Sequence, residues 1–107
     1  GMIKNLNQLK RALWPGMRLE IIDHCRPECI GQLREVTWVN TQGFYTKVVN
    51  QPDNKINAGN NGRGAILWWG LARTWTFEND VCSSYQSGGN TRERLIMAFR
   101  VIEKEDT

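Results

Sequence analysis

IGQLREVTWVNTQGFYTKVV, residues 30–49, is the stretch whose reading decides the fold. Polar and apolar residues alternate on both sides of Thr41-Gln42-Gly43, as two strands of a β-hairpin require. A three-residue loop would put Gly43 at positive φ, where a glycine carries no Cβ penalty. Asn40 then opposes Phe44, Trp38 opposes Thr46, and Val36 opposes Val48. One face holds Val36, Trp38, Phe44 and Val48, with Thr46 and Asn40. The other holds Glu35, Thr37, Tyr45 and Lys47, with Val39 and Val49. A two-residue loop would oppose Val39 to Phe44 and mix charged with apolar side chains, because a one-residue slip reverses every face. The expected core residues are therefore Trp38 and Phe44.

Outward from the hairpin, the chain reads as one small domain of 107 residues. It has 40% hydrophobic and 23% charged residues and a net charge of +3, a mild basic balance that permits nucleic-acid contact without requiring it. Gly1-Met2 reads as a tag-removal remnant. No apolar run is long enough for a membrane span, and a cytoplasmic protein is expected. Three cysteines, an odd number, are expected as reduced thiols in that compartment.

Upstream, Asn5 to Leu13 predicts a helix with Asn5 as cap, Gln8 completing a capping-box-like pair, and Leu6, Leu9 and Leu13 as one apolar stripe. Pro15-Gly16 ends it, and Trp14 is expected to pack at the junction. Met17 to His24 alternates as a strand with Met17, Leu19 and Ile21 inward. Downstream, 50–64 is rich in asparagine and glycine and predicts a mobile loop. Its GNNGRG lacks the Gly-Lys-Ser/Thr ending and following helix of a phosphate loop. Ala65–Trp69 is a short apolar run. Arg73–Asp80 alternates with Trp75 and Phe77 inward. Cys82–Asn90 reads as a polar loop, and Arg94–Ile102 as a central strand, apolar on both faces. Residues 103–107 are expected to fray.

Such a series of five or six short strands with one helix predicts a mainly β domain over residues 2–102, a small SH3-like antiparallel barrel plugged by the helix. LxxLKRALxxGxxLE at Leu6–Glu20, GQLREVxWVxxxGFYTK at Gly31–Lys47 and WWGLARTWTFEND at Trp68–Asp80 resemble small proteins of Gram-positive bacteria, their phages and integrative elements. Those look like SH3-like barrels and have no assigned activity. The resemblance implies the fold and a mobile-element origin, and it carries no site residues.

His24, Cys25, Cys29 and Cys82 are the one set that zinc could use. They offer one C-x2-4-C pair, Cys25 and Cys29, where structural sites usually show two, and neighbours on a strand point apart, so incidental thiols are expected and no cofactor. One histidine without an oxyanion-hole signature gives nucleophilic catalysis no footing, and an enzyme is not expected. What remains is a binding module. A protein partner is the leading expectation, and weak nucleic-acid binding or a structural zinc domain are the alternatives. The residues expected to meet a partner are Tyr45, Lys47, Arg63, Trp69 and Arg73, an aromatic and cationic set. Trp69 is included because one of the adjacent Trp68 and Trp69 must point away from the core.

Overall fold

In the computed structural model, which describes residues 2–88 and 91–102 (the side chains of 91–93 excepted), the chain opens with helix α1, Leu6–Ala12. Asn5 caps it as the sequence predicts, its Oδ1 accepting the Gln8 amide at 2.8 Å. The reciprocal bond is shifted by one residue: Gln8 Oε1 accepts from the Lys4 amide at 2.7 Å. Leu9 and Leu13 are fully inside and Leu6 half-buried, so the leucine stripe is the buried face.

Seven strands follow: β1 Arg18–His24, β2 Leu33–Val39, β3 Gly43–Val48, β4 Ala65–Trp68, β5 Arg73–Glu78, β6 Val81–Gly88 and β7 Thr91–Ile102. They form one antiparallel sheet in the order β4-β3-β2-β1-β7-β6-β5. This corrects the expected five- or six-stranded SH3-like barrel: the domain is mainly β, but the sheet is open and has seven strands. The missing strand is β6. Its polar composition disguised it as the loop Cys82–Asn90, of which residues 89 and 90 lie outside the described part. Asn79 and Asp80 both have positive φ, the geometry of a two-residue hairpin turn, and Cys82 and Ser84 alternate inward. Residues 103–107, expected to fray, also lie outside the described part.

The open sheet is nonetheless strongly curled. Its two edge strands, β4 and β5, are consecutive in the chain. Flat, a sheet of this width would separate them by about 29 Å. The five steps from Trp68 to Arg73 reach at most about 18 Å. The curl brings Phe44 on β3 against Phe99 on β7, ring centroids 5.8 Å apart, although three strand spacings separate them in the sheet order. Trp69 joins them, its ring centroid 5.0 Å from that of Phe44 and 6.0 Å from that of Trp75. The Trp75 indole N–H donates to the Trp69 carbonyl at 2.9 Å, tying the two edges together. Leu19, Ile21, Val36, Leu67, Cys82 and Met97 complete the core with the helix leucines.

The central hairpin departs from its predicted register. Val39 opposes Phe44 and Trp38 opposes Tyr45, but Val36 opposes Thr46. A β-bulge at Thr37 absorbs the difference. On β3 Phe44, Thr46 and Val48 face inward and Lys47 outward, and on β2 before the bulge Val36 faces inward and Glu35 outward, as expected; beyond the bulge the faces of β2 are exchanged. Trp38 is therefore turned out, 37% exposed, and Val39 packs on the core instead. Nor does Gly43 adopt positive φ. Asn40 closes the loop, its Oδ1 accepting from the amides of Gln42 (2.8 Å) and Gly43 (3.0 Å). Gly43 is needed for another reason: a Cβ there would collide with the Leu67 carbonyl of β4.

Trp14 also departs from expectation. Leu13 is extended and buried, so the next side chain points the other way, and Trp14 stands 68% exposed. Segment 50–64 holds a 3-10 turn, Lys55–Ala58, and a second turn, Gly59–Gly62, with Asn60 and Asn61 left-handed. Asn57 clamps it to β3, accepting from the Val48 amide at 2.8 Å and donating to its carbonyl at 3.1 Å.

The exchange of faces sets a clear expectation for stability. Phe44→Ala should cost about 3–5 kcal/mol, as for other emptied aromatic core sites. Trp38→Ala should cost no more than about 1–2 kcal/mol, in the range of part-exposed positions. Chemical denaturation in which Trp38→Ala is the costlier of the two would contradict the bulged register.

Candidate functional site: an outward aromatic–guanidinium stack

The bulge at Thr37 builds the most distinctive surface of the domain. Trp38 and Tyr45, cross-strand partners on the outward face, stack with centroids 5.5 Å apart and planes 21° from parallel. The Arg63 guanidinium lies over the Trp38 ring, 3.5 Å from its centroid. Thr37 holds this arrangement in place, its hydroxyl donating to the Arg63 carbonyl at 2.6 Å and lying 3.3 Å from the Tyr45 carbonyl. Gly64, at φ +94°, lets the chain after Arg63 pass against the Thr46 carbonyl, where a side chain would collide. On β4, Ile66 opposes Tyr45 and Trp68 opposes Gly43, so both half-buried side chains extend the same face.

Of the residues expected to meet a partner, Tyr45, Lys47 and Arg63 are thus neighbours. Lys47 lies two positions along β3 from Tyr45, opposite Glu35, whose carboxylate pairs with Arg18 at 3.4 Å. Trp69 does not join them: it is 4% exposed, its indole N–H donating to the Asn40 carbonyl at 3.0 Å. Trp68 faces outward in its place. Arg73 sits on β5, the far edge strand, and donates to the Leu71 carbonyl at 3.1 Å. Sequence reasoning missed Trp38 because a bulge leaves no local mark beyond a β-branched threonine.

The cysteines and His24 are dispersed in character. Cys25 is exposed, Cys29 buried in the turn Pro27–Cys29, and Cys82 wholly buried in the core on β6. Burial, helped by the charge of Asp80, pushes the Cys82 thiol up to about 12. Among the described residues, no three His, Cys, Asp or Glu side chains group as metal ligands would. The Cys25 sulfur is 3.7 Å from His24 Nδ1, but that nitrogen already accepts the Arg26 amide at 2.9 Å. Cys29 is instead the neighbour of Arg34, a buried guanidinium that the sequence reading overlooked. Arg34 donates to Gln32 Oε1 at 2.8 and 3.0 Å. Burial lowers its pKa, and the hydrogen-bonded Cys29 opposes that shift.

Compared with family models, curated proteins and solved structures, the chain gives no match.

Two outcomes follow from these environments. A thiol reagent at neutral pH should label Cys25 in the folded protein and reach Cys82 only after denaturation. Labelling of Cys82 at the Cys25 rate would contradict the burial. His24 is held below its ordinary value of 6.5 by burial, then by Arg34 and Arg26. As pH falls through 6.5 the unfolded chain takes up the proton first, so stability present above that value should be lost until the folded-state pKa is passed. Protonation also removes the acceptor for the Arg26 amide. His24→Asn, which keeps an acceptor without a titrating ring, should flatten this part of the pH profile of the melting temperature. An unchanged slope would show that other groups produce it.

Proposed function

We propose that this chain is a non-enzymatic binding module that takes a protein partner on the outward face of β2, β3 and β4. The observation that carries the reading is Trp38, turned out by the bulge, stacked with Tyr45 and met by the Arg63 guanidinium. Tryptophan, tyrosine and arginine are enriched among the residues that dominate protein–protein contacts: the two aromatics combine large apolar area with few rotors, and the planar guanidinium stacks on them. Here Trp38 and Tyr45 are already ordered on the sheet and the Arg63 guanidinium lies on the Trp38 ring, so binding would cost little side-chain entropy. Ile66 and Trp68 continue the face toward the β4 edge.

A nucleic-acid reading has less support. A base needs an open ring face to stack on, whereas Trp38 has Arg63 on it at 3.5 Å and Tyr45 beside it. Lys47 is opposed by Glu35, and Arg73 belongs to the other edge of the sheet. The support for a binder rather than a catalyst is that His24 Nδ1 is engaged by backbone and Cys82 is sealed in the core. The spaced motifs at Leu6–Glu20 and Trp68–Asp80 remain the support for a phage or mobile-element origin.

Affinity capture on the wild-type chain and on a Trp38→Ser/Arg63→Ala variant, with folding checked by melting, tests the proposal. A polypeptide should be retained by the wild type after nuclease treatment and lost from the variant. Retention that disappears with nuclease, or short single strands bound at low salt and released steeply as salt rises, would replace it with the nucleic-acid reading.

A further inference from the structure

A second surface, separate from the outward stack, is built around Trp14. Its indole is 68% exposed. It stands between two clefts. On one side a cleft of about 390 Å³ is lined by Pro15, Met17 and Ile102, with Arg18 and Glu35. On the other a cleft of about 550 Å³ is lined by Leu13, Pro15 and Val39, with Lys10 and Arg11. Trp14 forms a wall of both.

The backbone under Trp14 is tied down on each side. Its carbonyl accepts the Met17 amide at 2.9 Å, Gly16 donates to the Val36 carbonyl at 2.7 Å, and Leu13 donates to the Leu9 carbonyl at 3.1 Å. The ring is therefore presented from a fixed base, as an anchor residue requires. A ligand that uses both clefts must straddle the ring, which fits an extended peptide better than a small molecule or a flat protein face.

Charge selects the kind of peptide. In the first cleft Arg18 and Glu35 pair with each other at 3.4 Å and largely cancel. In the second both charged lining residues, Lys10 and Arg11, are cations, the Lys10 ammonium lying 5.7 Å from the Trp69 ring centroid. We propose that the Trp14 clefts bind an acidic linear peptide, apolar side chains of the ligand entering beside Trp14 and its carboxylates meeting Lys10 and Arg11. The interaction is of the acidic-motif type, apolar anchors giving affinity and the charge pairs giving selection and salt dependence.

The probes are a capped octapeptide with two central leucines flanked by glutamates, and the same peptide with lysines in place of the glutamates. Binding is followed by tryptophan emission and by backbone amide shifts. The glutamate peptide should bind at least about tenfold more tightly than the lysine peptide. Its affinity should fall as salt is raised, and by a similar factor in Trp14→Ala and in Lys10→Glu/Arg11→Glu. Trp38→Ser should leave it unchanged, which separates this site from the outward stack. Equal affinity for the two peptides, indifference to Trp14→Ala, or no saturable binding would each overturn the proposal.

Discussion

Everything in this domain depends on the short link between the two edge strands. A sheet whose first and last strands follow one another in sequence cannot lie flat, because residues 69–72 are too few to cross its width. The curl is what creates an inside at all. It lets Phe44, Trp69, Trp75 and Phe99 meet across strands that are not neighbours, and the leucine stripe Leu6, Leu9 and Leu13 joins that core, with the Lys10 ammonium 5.7 Å from the Trp69 ring. The hydrogen bond from Trp75 to the Trp69 carbonyl then satisfies a polar group that the link would otherwise bury without a partner.

The second constraint is the Thr37 bulge. A hairpin with Val39 opposite Phe44 and no bulge would bring Lys47 and Val36 to the same face. One extra residue restores the inward set below and reverses the strand above. The same irregularity therefore does two jobs: it keeps the core apolar, and it moves an indole to the surface beside Tyr45. Edge strand β4 can reach this face only because Gly43 and Gly64 allow close backbone approach at the two ends of its ladder with β3. The outward stack is thus a consequence of how β2, β3 and β4 fit, and its exposed character is inseparable from the packing beneath it.

Two tryptophans, Trp38 and Trp14, reach solvent for unlike reasons. Trp38 is displaced by a bulge. Trp14 is displaced because its neighbour Leu13 takes the inward position in extended backbone just past the helix. Both stand on backbone held by hydrogen bonds, so neither exposure follows from a loose chain. Between them they give a small domain two aromatic faces of different surroundings: one with Lys47 opposite Glu35 in the ladder, the other rimmed by Lys10 and Arg11.

By itself the sequence determined what depends on neighbours along the chain. The Asn5 cap, the leucine stripe of α1, the alternation of β1 and β5 and the central place of β7 follow from periods of 3.6 and 2, which need no knowledge of the rest of the molecule. Tyr45 and Lys47 were legible as candidates on the same grounds, and Arg63 as a cation beside the aromatic run that follows it. Tertiary structure alone decided that Trp69 is buried while Trp38 and Trp14 are exposed, that the serine-rich segment 81–88 is a strand, and that the sheet has seven strands and stays open. Each of those outcomes rests on pairing between distant segments. A bulge shifts register without altering composition, and a polar segment becomes a strand when two neighbours offer it their backbone hydrogen bonds.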